Sequence, residues 1–300
     1  MAAFQFDKNK LIYDECKRVS EELFQQVRNG LEAPPSQFDA GIHMARKASK
    51  KLRALLRMLD HVAAPAAVKE QDAAIRRLAK KMSGARDSTV MLQTLAALEN
   101  EFSPYIKLAA TAKLEKNLQG SYQAGLRNQH EYTFYQAVIP QLDSIESGFR
   151  EIISSTKGAG YDVLFEAIDR RYRHSRQGWK RVRKVHNSEN FHKWRREVKH
   201  FWYLVRLIEG WNPGQMGPLA EHLNELGETL GIEHDLFVLQ QYIRQQPEAC
   251  GNYKQAELIY SLARIKQQML REDALVTALS IFSRKPGQFK EWVRNVTAAV

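Results

Sequence analysis

Two groups of residues in this chain have the types and spacing to do chemistry, and they are nearly the same group. His43-x-x-Arg46-Lys47-x-x-Lys50-Lys51 returns 149 residues later as His192-x-x-Arg195-Arg196-x-x-Lys199-His200. Each copy is followed by a basic–acidic pair heading an apolar run: Arg86-Asp87 before Val90-Met91-Leu92, and His234-Asp235 before Leu236-Phe237-Val238. The His-to-Asp separation is 44 residues in the first copy and 43 in the second. A match of that period in two separate motifs indicates an internal duplication. The chemistry on offer is anion binding. Arginine meets phosphate oxygens with a planar fork, lysine supplies a compact charge, and histidine donates to the same oxygens.

Other chemistries fit less well. No Ser/His/Asp constellation, phosphate-cradling glycine loop or paired-carboxylate signature is present. His43 and His192 stand among cations, neither has a His or Cys at i+3 or i+4, and no His-Glu-x-x-His occurs. Glu233-His234-Asp235 resembles a ligand set on paper but reads as a helix start. Asp235, like Asp87, is assigned an orienting role, capping amides or pairing with a motif cation. The expectation is no catalysis, no metal and no cofactor. Protonation of His43 and His192 predicts tighter anion binding below about pH 6.5.

These residues need helices to bring them to one face. At 100° per residue, Arg195, Arg196, Lys199 and Arg206 fall within about 60° of His192, with His200 at the edge and Tyr203 in the same sector. Trp194, Val198, Phe201, Leu204, Val205 and Ile208 fall opposite. The first copy divides likewise: His43, Arg46, Lys47, Lys50, Lys51 and Arg57 against Ala45, Ala48, Leu52, Leu55, Leu56 and Leu59. A merely solubilising face mixes signs through Glu–Lys pairs, whereas these stripes are cationic. A third helix, over 161–186, aligns Arg173, Arg176, Lys180 and Lys184. Its counterpart around 10–30 is charge-mixed, so the duplication is uneven and the second half is the more basic one.

The whole composition agrees. Forty-five Lys and Arg against 34 Asp and Glu give a net charge of +11, which points to an anionic partner. Cys16 and Cys250, one per half, exclude a disulfide scaffold and suggest a reducing compartment. No window approaches a membrane span and the N-terminus lacks a signal-peptide pattern, so a soluble, cytoplasmic protein is expected. Apolar spacing predicts helices at 8–30, 37–62, 65–82, 87–102, 104–120, 128–154, 160–186, 190–210, 215–231 and 235–247, with two or three more over 252–297. Ser36 or Asp39 would cap the first motif helix, and Ser188 or Asn190 the second. The fold class is all-α, with two similar helical bundles of about four long helices each. A single domain over 1–300 would comprise halves 1–156 and 157–300, joined at Lys157-Gly158-Ala159-Gly160.

Paired His-x-x-Arg-[Lys/Arg]-x-x-Lys helices, each followed by an Arg-Asp or His-Asp pair, resemble the conserved-histidine α-helical (CHAD) domain family. The resemblance covers residues 8 to 290. It implies two bundles related by a pseudo-twofold, basic helices lining a central cleft, and binding of inorganic polyphosphate. Carried over by position, that role falls on His43, Arg46, Lys47, Lys50, Lys51 and Arg57, and on His192, Arg195, Arg196, Lys199, Tyr203 and Arg206. The stripe of Arg173, Arg176, Lys180 and Lys184 is an extension of it. The same resemblance leaves storage, targeting to polyphosphate granules and regulation of a partner open.

Nucleic acid is the rival ligand, because Trp179, Trp194, Trp202 and Trp211 lie in the basic half and aromatic rings stack bases. By helical angle Trp179 and Trp194 point to the core, Trp202 lies at the edge and Trp211 falls in a loop. No nucleic-acid module is recognisable.

Overall fold

The computed structural model of the chain describes residues 4–34, 37–82, 86–103, 105, 110–129 and 132–298. Among them are eleven α-helices and no strand. They are α1 (Ile12–Leu31), α2 (Phe38–Met58), α3 (Pro65–Lys81), α4 (Arg86–Glu101), α5 (Ala112–Gln129), α6 (Tyr132–Ser154), α7 (Asp162–Lys184), α8 (Ser188–Ile208), α9 (Pro213–Gln245), α10 (Tyr253–Phe282) and α11 (Pro286–Ala298). No described helix is long and apolar enough to cross a membrane.

Local chemistry sets the helix starts. Asn187 is extended and its side chain accepts from Asn190 N, so it caps α8 in place of Ser188 or Asn190. Asn212 and Asn252 cap α9 and α10 in the same way. Pro65 and Pro213 open α3 and α9, where a missing N–H costs nothing. At the start of α2, Ser36 lies outside the described residues, as does the Asp39 side chain. Gln37 occupies the cap position without a side-chain bond. The helix expected at 104–120 is instead Ala112–Gln129. Between the halves the backbone turns at Gly158, whose φ of +81° favours glycine.

Each motif helix lies on the helix before it, α2 on α1 and α8 on α7, and α2 also packs against α7 and α8. The α1–α2 contact is unusually close. A Cβ on Gly30 would come within 2.3 Å of the Gly41 carbonyl oxygen. At the α2–α8 contact Lys51 lies near Arg206, and Arg57 meets His200. Residues 51 and 200, and 57 and 206, are equivalent under the 149-residue offset. The two proximities therefore exchange under that offset.

The largest departure from expectation is α9. One helix runs through the predicted break at 232–234, so Asp235 sits mid-helix and not at a helix start. Gly231 stays helical, and packing against α10 and α4 carries the helix straight past the acid that precedes the apolar run. Asp87, by contrast, is in the first turn of α4.

This long helix joins two cores. The larger takes Leu223, Leu226 and Leu230 of α9 with the apolar faces of α1, α2, α3, α6, α7, α8 and α11. The smaller joins Leu236, Leu239 and Ile243 to Met91, Leu95 and Leu98 of α4, Leu114 and Leu118 of α5, and Ile259 and Leu262 of α10. The smaller core thus draws on sequence from both sides of the 156/157 boundary. Between the cores, α9 and α10 are joined by a buried polar layer. Arg271 bonds Glu233 at 2.7 Å, Gln267 donates to Glu233, and Gln240 donates to Gln267. Arg271 also reaches Ser188 Oγ, fixing the start of α8.

Candidate functional site

Cations from the two motif helices converge where α2 meets α8. Lys51 Nζ lies 5.0 Å above the Phe4 ring and within the field of Arg206 and Lys47. Burial and those two cations hold its ammonium below the ordinary lysine value. Lys199 is lowered for the same reasons, burial first, then Arg195 and Lys47, partly offset by Glu228. Its ammonium lies 2.7 Å from Glu228 and 4.7 Å from the centre of the Trp202 ring. Arg206 lies over the same ring and pairs with Glu209 at 2.6 Å. Lys47 and Lys50 are exposed beside this group, as is His43.

The helix after each motif shapes its arginine. Arg46 crosses to α3 and donates to the Ala79 carbonyl at 3.0 Å. Arg195, its equivalent, crosses to α9 and lies over Gly231, where a Cβ would come 3.5 Å from its Nη2. One turn earlier, a Cβ on Gly227 would meet Lys199 Cε at 2.7 Å. Two glycines four residues apart thus make the shelf on which Arg195 and Lys199 rest. Glu228, Gly227, Gly231 and Phe4 were not singled out from sequence. The glycine pair at i, i+4 was the available signal; Phe4 and Glu228 approach only through tertiary packing.

The structure places other expected residues elsewhere. Tyr203 is 8 % exposed and packs edge-on to Phe4, so it faces the core more than the cationic sector; burial pushes its hydroxyl up to about 12. Arg57 pairs with Asp72 and contacts His200, in a compensated cluster containing Arg53, Arg171 and Glu197. His200 is held well below the ordinary histidine value by burial and by Arg57, Arg171 and Arg53, and is neutral there. The α7 stripe turns towards α10 and α11. Arg176 donates to the Phe282 carbonyl, Arg173 pairs with Asp169, and both line a recess of about 210 Å³ with Lys180 and Pro286. Lys184 is exposed at the end of α7. Arg196 is exposed between α8 and α7.

The His192 ring lies 4.2 Å from that of His234 between ring centres, tilted at 35°. Burial, Arg196 and Arg195 lower His192, and burial with His192 takes His234 to about 4. Among the described residues no cluster of three or more His, Cys, Asp or Glu has metal-binding geometry.

Of the tryptophans, Trp179 and Trp194 are in the core as expected. Trp211 is not in an open loop: it is buried in a single 3-10 turn and donates to the Phe6 carbonyl. Trp202 has Lys199 and Arg206 over its ring.

No curated protein sequence matches the chain. The crystal structure of the CHAD domain from the plant Ricinus communis superposes with a TM-score of 0.68 at 17% identity, covering 95% of this chain and 96% of that one. At that identity the likeness is one of fold. The sequence itself matches the CHAD domain over residues 21–244, about three quarters of its length. With the helical architecture and the duplicated motif helices set against each other, the chain belongs to the CHAD domain family.

Proposed function

We propose that this protein binds inorganic polyphosphate, without catalysing a reaction on it, across the cationic faces of α2 and α8. The observation that carries this reading is the convergence of Lys47, Lys51, Arg195, Lys199 and Arg206 from two distant stretches of sequence, where burial first and the neighbouring cations second lower Lys51 and Lys199. Gathering like charges costs stability unless a polyanion neutralises them. Polyphosphate carries about one charge per unit and no bases to read, and a helix presents a cation about every 5.4 Å. The CHAD resemblance supports the same ligand. On this reading the chain works as one domain whose halves face a shared cleft, in the cytoplasm and at polyphosphate granules. Nucleic acid is the weaker reading, because Lys199 and Arg206 lie over Trp202, the one indole at the site's edge.

The test is competition. Labelled long-chain polyphosphate is titrated at two salt concentrations against excess single- and double-stranded nucleic acid, with a Lys51→Ala, Arg195→Ala, Lys199→Ala variant alongside. Binding that weakens with salt, resists nucleic acid and collapses in the variant is expected. Equal competition by nucleic acid, or unchanged binding by the variant, refutes the assignment.

A further inference from the structure

A second concentration of positive charge lies between α7 and α8, outside the convergence just described. The groove has a volume of about 180 Å³, and its walls carry His174, Gln177, Arg181, Lys193 and Arg196 with one acid, Glu197, over a floor of Gly178 and Trp194. That acid is occupied. Glu197 lies 3.4 Å from Arg171 and 3.7 Å from His174 Nδ1, and Glu189 pairs with Lys193. Arg181 and Arg196, by contrast, have no carboxylate partner among the described residues.

The floor is built for close approach. Gly178 brings the α7 backbone against Trp194, where any Cβ would come 2.6 Å from the indole Cδ1. Trp194 is fully buried, and its Nε1–H has no acceptor among the described residues, so its signal is sensitive to the packing around it. The ring underlies the groove, and an oxyanion above it is an acceptor that satisfies guanidinium forks from both helices.

This groove is not a property of the repeat. Under the 149-residue offset, His174, Arg181 and Lys193 correspond to Gln25, Glu32 and Met44. There α1 and α2 are pressed together at Gly30 and Gly41. The feature belongs to the second half alone, where α7 is strongly basic.

We propose that the α7–α8 groove is a second anion site, separate from the α2–α8 cluster, that takes a compact phosphate oxyanion: orthophosphate, pyrophosphate or a terminal phosphate group. Arg181 and Arg196 grip its oxygens from the two helices, with Gln177 and Lys193 at the rim. The site stands whether or not the α2–α8 cluster binds polyphosphate.

Indole N–H signals of the isotope-labelled protein, assigned through the backbone, report on it directly. Pyrophosphate at low ionic strength is expected to move the Trp194 signal in the wild type and in a Lys47→Ala, Lys51→Ala, Lys199→Ala variant alike. Arg181→Gln with Arg196→Gln, both at exposed positions, should raise the concentration for half-saturation roughly tenfold or more. Orthophosphate should move the same signal more weakly, as it carries fewer oxygens. The proposal is overturned if Trp194 does not respond to pyrophosphate, or if the arginine variant responds like the wild type. It is equally overturned if the response vanishes in the lysine variant or needs long-chain polyphosphate, since the groove would then be an extension of the cluster.

Discussion

Lys199 shows how finely a cation here is balanced. Glu228 holds it, Trp202 lies under it, and burial with Arg195 and Lys47 presses against its charge. An exposed ion pair is worth at most about 1 kcal/mol, so Glu228→Gln should tighten polyphosphate binding by roughly two- to fivefold at low salt. Fluorescence polarisation would show it; weaker binding would take Lys199 off the anion's path. The histidines give a stability signature with the opposite sense to a salt-bridged histidine. The values of His192 and His234 lie below that of an unfolded chain, so the unfolded state takes up more protons in acid. Their contribution is complete above about pH 6.5 and is lost as pH falls, for His234 through about 4. For the partly exposed His234 this amounts to about 2 kcal/mol. Denaturant titrations at pH 7 and pH 4.5 should show the loss, and His234→Asn should lessen it. The sectors of Lys47, Lys51, Arg195, Lys199 and Arg206 were legible because spacing on a helix sets them. The burial of Tyr203 and the pairing of Arg57 with Asp72 were not, since both depend on elements that arrive from elsewhere in the chain.

Among the elements, α9 carries the most information. Gly227 and Gly231 serve the neighbouring helix, not their own. Gly227→Ala should add about 0.5–1 kcal/mol of helix stability, because only the flexible end of Lys199 must move. Polyphosphate affinity should fall at the same time, as Lys199 is driven from its seat. A stabilised variant with unchanged affinity would show that the shelf is incidental. Arg271→Met has the opposite character. It strands Glu233, which is 1 % exposed and already raised by burial, and should cost about 3–5 kcal/mol in equilibrium unfolding. The amphipathic α1, α2, α7 and α8 could be read from their apolar spacing alone. The continuity of α9 could not, because His234-Asp235 before an apolar run imitates a helix start and only packing on α10 and α4 shows that the chain carries straight on.

For the whole molecule, the duplication visible in the sequence does not divide the packing. Met91, Leu95, Leu114 and Leu118 from the first half complete a core with Leu236, Leu239 and Ile259 from the second. Residues 157–300 expressed alone should therefore expose those leucines and bind a hydrophobic dye strongly, whereas the full chain should not; a dye-silent, cooperatively folding fragment would show that the half is self-sufficient. This partition was hidden because an apolar stripe announces that a helix is buried but not against what. At 33 residues, α9 is a rod about 50 Å long with one end seated in each core. Arg195 and Lys199 touch it at Gly231 and Gly227, just short of the joint where one seat gives way to the other. A ligand clamped there grips the shaft at mid-length, so stiffening at that point would slow amide exchange at both ends, far beyond anything it touches.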